Sequence, residues 1–142
     1  MGKLYVAYGS NLHLGQMGTR CPYAKVYGIG KIKDYQLTFR RVATIVPEQG
    51  KEVPVGVWEI QPSDERSLDM YEGYPRLYRK ETIKVEMANG DTIDGMVYIM
   101  NEGKPDLPSK GYFDTILQGY RDCGLDEQYL EEALKDTESR ME

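Results

Sequence analysis

The hydrophobic pattern changes period twice along the chain. Residues 3–8, Lys3-Leu4-Tyr5-Val6-Ala7-Tyr8, form a short apolar run that Gly9 halts, which predicts a buried strand. Ser10 or Asn11 then offers a cap for a helix beginning near Leu12, kept brief by Gly15, Gly18 and Pro22. Between residues 23 and 60 the chain reads as several strands. Residues 23–33 carry Val26, Gly28 and Gly30 and predict a bent or bulged strand. Residues 35–39 alternate, 42–46 are apolar, 47–52 predict a turn, and 53–60 alternate again.

At Pro62 the period becomes helical. Ser63 is the expected N-cap, with Asp64 and Glu65 in the first turn. Leu68, Tyr71 and Glu72 fall at i, i+3 and i+4 on one face, and Gly73 and Pro75 end the helix. Two strands follow over 77–87 and 92–100, joined by an Asn89-Gly90 turn. The last third is helical. Tyr112, Phe113, Ile116, Leu117 and Tyr120 make one stripe that Gly124 ends. Asp126 is placed to cap a second helix, with Leu125 stapled to Leu130, and the polar residues 135–142 are expected to fray. Strands first, one helix inserted, then helices: this is an α+β order. It fits a small, mixed but mostly antiparallel β-barrel or curved sheet with flanking helices, as one domain over 1–142.

Composition narrows the chemistry. A net charge of −5 argues against broad nucleic-acid binding, and Arg40-Arg41 fits the solvated end of a strand. No apolar run reaches the length of a membrane span or a signal peptide, so the expectation is a cytoplasmic protein. Cys21 and Cys123 have no zinc spacing and are expected to be free thiols. His13 is the sole histidine. It rules out a multi-histidine metal site and confines any Ser–His or Cys–His couple to one position, itself at a helix start. Proton transfer, if there is any, then falls to a carboxylate. The 12 tyrosines, against 2 Phe and 1 Trp, suit a pocket with apolar walls and hydroxyl tips as well as ordinary half-buried strands.

Two places could carry chemistry. In Tyr8-Gly9-Ser10-Asn11-Leu12 a strand runs into glycine and then a helix start. The glycine permits close backbone approach, and the free amides beyond it suit a carboxylate or a developing oxyanion. The pattern also fits a plain strand–turn–helix corner. Glu72 lies on the helix face that should pack on the sheet, where partial desolvation, with Asp69 one turn earlier, would raise its pKa toward that of a useful base. It would equally fit an acid skirting the edge of the core.

Together these segments resemble the γ-glutamylcyclotransferase-like (AIG2-like) family. Tyr5-Val6-Ala7-Tyr8-Gly9-Ser10-Asn11-Leu12 matches the family's substrate loop, and Leu68-Asp69-Met70-Tyr71-Glu72-Gly73-Tyr74-Pro75 resembles its catalytic segment. Ala43-Thr44-Ile45, Gly56-Val57-Trp58, Tyr78, Val97-Tyr98 and Pro108-Ser109 with Tyr112 follow in family order, so the likeness spans roughly residues 3 to 134. The resemblance implies a small closed or nearly closed barrel with flanking helices. It implies an enzyme that cyclises a γ-glutamyl group to 5-oxoproline and expels an amine or amino acid, with Glu72 as general acid/base. Tyr5, Val6, Ala7, Tyr8, Gly9, Ser10, Asn11 and Leu12 would bind substrate together with Tyr112, Tyr78 and Tyr98. No metal or cofactor is expected, and no nucleic acid or membrane partner. The small-molecule γ-glutamyl substrate would be handled by a monomer or homodimer, with residues 74–76 and 104–110 as the rim. The alternative is a non-catalytic small-molecule-binding domain of the same fold.

Overall fold

The structure is a computed structural model that describes residues 2–142. Five strands close into a barrel in the order β1-β3-β2-β4-β5. Strand β1 (Lys3–Ala7) pairs antiparallel with β3 (Val42–Ile60) and meets β5 (Thr92–Met100) in parallel at Tyr5 and Met96. Strand β2 (Lys25–Arg40) runs antiparallel to β3 over nearly its full length, and β4 (Tyr78–Met87) pairs antiparallel with β5. The barrel is therefore mixed, with one parallel seam.

Two predicted strand pairs are in fact single long strands. Residues 47–52 are not a turn: β3 continues through them, and residues 48–51 bulge against the single residue Asp34 of β2. Asp34 takes a positive φ of 63° and Gly50 one of 86°, and the Asp34 carboxylate accepts the Gly50 amide at 3.0 Å. The turn signal marks a bulge because the flanking apolar segments hold their partners on β2. The register also shifts between Val26 and Gly28, as the glycines suggest.

A 3-10 turn (Ser10–Leu12) and helix α1 (Leu14–Arg20) follow β1. The cap of α1 is neither Ser10 nor Asn11 but His13, whose Nδ1 accepts the Gln16 amide at 3.1 Å. Helix α2 (Pro62–Glu72) bridges β3 and β4. Its N-cap is Gln61 rather than Ser63: Pro62 occupies the first helical position, and the buried Asp64 returns a carboxylate to the Gln61 amide at 3.0 Å.

Helix α3 (Lys110–Cys123) packs on the 3-10 turn, and α4 (Gln128–Met141) packs on β2. The Asp126 carboxylate accepts the first amide of α4, that of Gln128, at 2.9 Å. The expected frayed tail is instead helical to Met141. The fully buried Thr137 anchors it, its hydroxyl accepting the Phe39 amide at 2.9 Å and donating to the Ala133 carbonyl at 2.8 Å. A polar sequence hid one side chain that β2 needs.

Candidate functional site

Two chain segments far apart in sequence meet at one cavity. The first is the exit of β1. Gly9 ends the strand beside Ala43 and Tyr112: a Cβ there would meet the Ala43 Cβ at 3.4 Å and the Tyr112 hydroxyl at 3.6 Å, both ordinary contacts. In the turn that follows, Leu12 N–H is the first to find an acceptor, the Gly9 carbonyl at 3.0 Å. The amides of Ser10 and Asn11 precede that bond and have no partner within the turn. The second segment is the end of α2. Gly73, left-handed at φ 65°, stops the helix one residue after Glu72.

The cavity holds about 230 Å³, less than the ~300–1,000 Å³ of drug-sized sites, so it suits a small metabolite. Of the expected site residues, Tyr5, Val6, Tyr8, Gly9, Ser10, Asn11, Glu72, Tyr78, Tyr98 and Tyr112 all line it. Ala7 and Leu12 do not. Both are buried in the core, and Leu12 fills the space that Gly56 and Gly119 leave open.

Glu72 is half-buried, and burial pushes its carboxyl up to about 7, against the opposing pull of the Arg20 guanidinium. Its place at the helix C-terminus acts in the same direction as burial. Asp69 does not share in this. Lys80 holds its carboxylate at 2.9 Å and the Tyr98 hydroxyl donates to it at 2.6 Å, so its charge is already answered.

The hydroxyls in the cavity differ in what they can still do. Tyr78 donates to the Ala43 carbonyl at 2.6 Å, Tyr98 to Asp69, and Tyr8 to the Tyr98 carbonyl at 2.7 Å. These three protons are spent, which leaves oxygen lone pairs. Tyr112 instead accepts the Ala43 amide at 3.0 Å, and Tyr5 accepts Asn11 Nδ2 at 2.9 Å. The orientation of the Asn11 amide is not ambiguous, because its Oδ1 faces Arg20, which can only donate. Tyr5 and Tyr112 thus keep their own protons free to donate. Burial pushes the ionisation of all five well above the usual range, so they work as neutral groups.

Sequence reasoning missed Tyr71 as a site residue. Its hydroxyl meets Ser10 Oγ at 2.8 Å, and its i+3 position beside Glu72 was the available signal. Val42, Ala43 and Leu77 also line the cavity and look like ordinary apolar strand positions in the sequence. On the expected rim, Tyr74 packs edge-on against Tyr98 with ring centroids 6.5 Å apart, but residues 104–110 do not reach the wall. Arg79 is spent on Glu81 and Lys110 on Asp114. Cys21 and Cys123 are free thiols, and burial pushes that of Cys21 up to about 11. Among the described residues no three His, Cys, Asp or Glu side chains cluster to hold a metal.

Comparison with known proteins bears on the family and the fold. Residues 5–115 match the family described as gamma-glutamyl cyclotransferase, AIG2-like. Human gamma-glutamylcyclotransferase is 32% identical over 141 residues, covering 90% of this chain and 75% of the relative, and the mouse protein of the same name matches equally. A solved structure named gamma-glutamyl cyclotransferase superposes with a TM-score of 0.84 at 29% identity, over 94% of this chain and 86% of that one. A barrel of this topology, an acid of raised pKa lining one cavity with the turn after β1, and a match over most of the chain lead to one assignment: the protein belongs to the AIG2-like gamma-glutamyl cyclotransferase family.

Proposed function

We propose that this protein is a γ-glutamyl cyclotransferase in which Glu72 is the general acid/base. The observation that carries the reading is the Glu72 carboxyl, pushed up to about 7, lining the same small cavity as Ser10 and Asn11, whose amides precede the turn's first backbone bond.

A γ-glutamyl donor brings its own nucleophile. Its α-amine attacks its γ-carbonyl carbon, a carbon–nitrogen bond closes a five-membered ring, and the bond to the leaving amine breaks. The α-ammonium sheds two protons on becoming the lactam N–H, and Glu72 carries them one at a time to the departing nitrogen, which leaves as its own ammonium, so protons balance and no water is consumed. Near neutrality a carboxyl of this pKa serves in both directions. The Ser10 and Asn11 amides meet the oxyanion as the carbonyl turns tetrahedral. Donors of this kind typically contribute about 3 kcal/mol each. Tyr112 and Tyr5 keep protons for the donor's carboxylate, while the Tyr78 and Tyr98 oxygens can accept from its ammonium. Folding the donor into the cavity supplies the proximity that makes the attack unimolecular.

No helix is long and apolar enough to cross a membrane among the described residues. The free thiols favour a reducing, cytoplasmic setting. The test is release of 5-oxoproline from a panel of γ-glutamyl amino acids and γ-glutamyl amines. Wild type should turn over at least one of them, and Glu72→Gln should lose roughly 10²–10⁴-fold in kcat. Ligand-induced stabilisation with no product from any donor would instead favour the binding-domain reading.

A further inference from the structure

One cation stands immediately behind the cavity wall without lining it. Arg20 closes helix α1, and its guanidinium carbon lies 3.4 Å from the centroid of the Tyr71 ring. Its Nη1 donates to Asn11 Oδ1, and Nη2 makes a longer contact with Gln16 at 3.4 Å. Each partner leads back into the site. Asn11 Nδ2 donates a hydrogen bond to the Tyr5 hydroxyl, and the Tyr71 hydroxyl meets Ser10 Oγ. Tyr71 immediately precedes Glu72 on α2, while Ser10 and Asn11 carry the free amides. A single side chain therefore ties the two halves of the site to each other.

We propose that Arg20 is a positioning residue: by clamping Asn11 and Tyr71 together it sets where the turn's amides lie relative to Glu72. This rests on the cyclotransferase reading for its effect on turnover, but not for its effect on the carboxyl. The other groups facing Glu72 are neutral or already paired. Tyr5 of β1, Tyr8 beyond it, Tyr78 of β4 and Tyr112 of α3 are buried hydroxyls whose ionisation burial pushes upward. The Cys21 thiol, next to Arg20, is held protonated near neutrality, and Asp69 is spent on Lys80 and Tyr98. Among the described residues, Arg20 is the only charge that draws the Glu72 carboxyl downward. Lysine would keep that charge, but not the planar stack on Tyr71 with a simultaneous bond to Asn11.

The experiment compares Arg20→Met and Arg20→Lys with wild type by two readouts. The first is the ¹³C carboxyl titration of Glu72, assigned by its disappearance in Glu72→Gln. The second is kcat and KM for 5-oxoproline release across pH. In Arg20→Met the carboxyl midpoint should rise by up to about 1 pH unit. Its kcat should fall on the order of tenfold to a hundredfold, more than KM rises. Arg20→Lys should keep a wild-type midpoint and still lose kcat. An unmoved midpoint with wild-type kcat in Arg20→Met would overturn the proposal. Should that variant fail to fold, wild-type kcat in Arg20→Lys would overturn the clamp. If wild type itself releases no 5-oxoproline from any donor, the cyclotransferase reading falls, and the titration alone still judges Arg20.

Discussion

At the scale of the residue, Glu72 links function and stability through one proton. Its ordinary value is 4.5, which the unfolded chain should show, and the folded value is about 7. The folded state therefore holds the proton more tightly. The stability this group contributes is fully present below about pH 4.5 and is lost as pH rises through about 7. The gap corresponds to at most about 3 kcal/mol, less what solvent in the cavity screens. Glu72→Gln should accordingly unfold at a higher temperature than wild type at pH 8, with the advantage shrinking toward pH 4.5, as thermal melts across pH would show. Activity should run the other way, rising with pH through an apparent pKa near 7 in wild type, since the attacking amine must lose its proton. The candidacy of Glu72 was legible because an acid sat on an apolar helix face. The source of its perturbation was not. Asp69 looked like the neighbour that mattered, and only the positions of Lys80 and Tyr98 remove it.

At the scale of the element, α3 and α4 do work that their sequences disguise. The Gly119 backbone of α3 lies against the turn: a Cβ there would sit 2.7 Å from both Leu12 C and His13 N. Neither backbone atom can yield without moving the segment that carries Ser10 and Asn11. Gly119→Ala should therefore cost about 1–3 kcal/mol by thermal or urea unfolding, and should lower kcat even where the protein remains folded. In α4, Thr137→Val would strand the buried Phe39 amide and should cost about 1–3 kcal/mol. Truncation after Lys135 should destabilise at least as much. A dispensable tail would leave the melting temperature unchanged. Helix stops at Gly73 and Gly124 were readable because a left-handed residue there is a local requirement. The end of α4 was not, because what holds it is a hydroxyl reaching β2.

At the scale of the whole molecule, closure of the barrel brings the site together. Ser10 and Tyr71 touch although 61 residues separate them. The seam between β2 and β4 is short, with Gly30 opposite Met87 and Lys31 opposite Glu86. It is also tight: a Cβ on Gly30 would lie 2.6 Å from the Glu86 carbonyl oxygen. Gly30→Ala should open this seam, lowering stability by roughly 1–3 kcal/mol and speeding amide exchange around Met87. Unchanged exchange there would show that the barrel closes without that contact.

The sequence by itself determined the strand and helix periods, the turn at Asn89-Gly90 and the glycine helix stops. These depend on neighbours a few residues away, and side-chain chemistry at that range is written directly in the chain. Tertiary structure alone decided that residues 48–51 bulge rather than turn, that residues 135–141 are helical, and which tyrosine protons remain free. It also decided that Arg20, from one helix, bears on Asn11 and on Tyr71 of another. Burial, hydrogen-bond direction and charge coupling are set by atoms that meet through space, and no local pattern carries them.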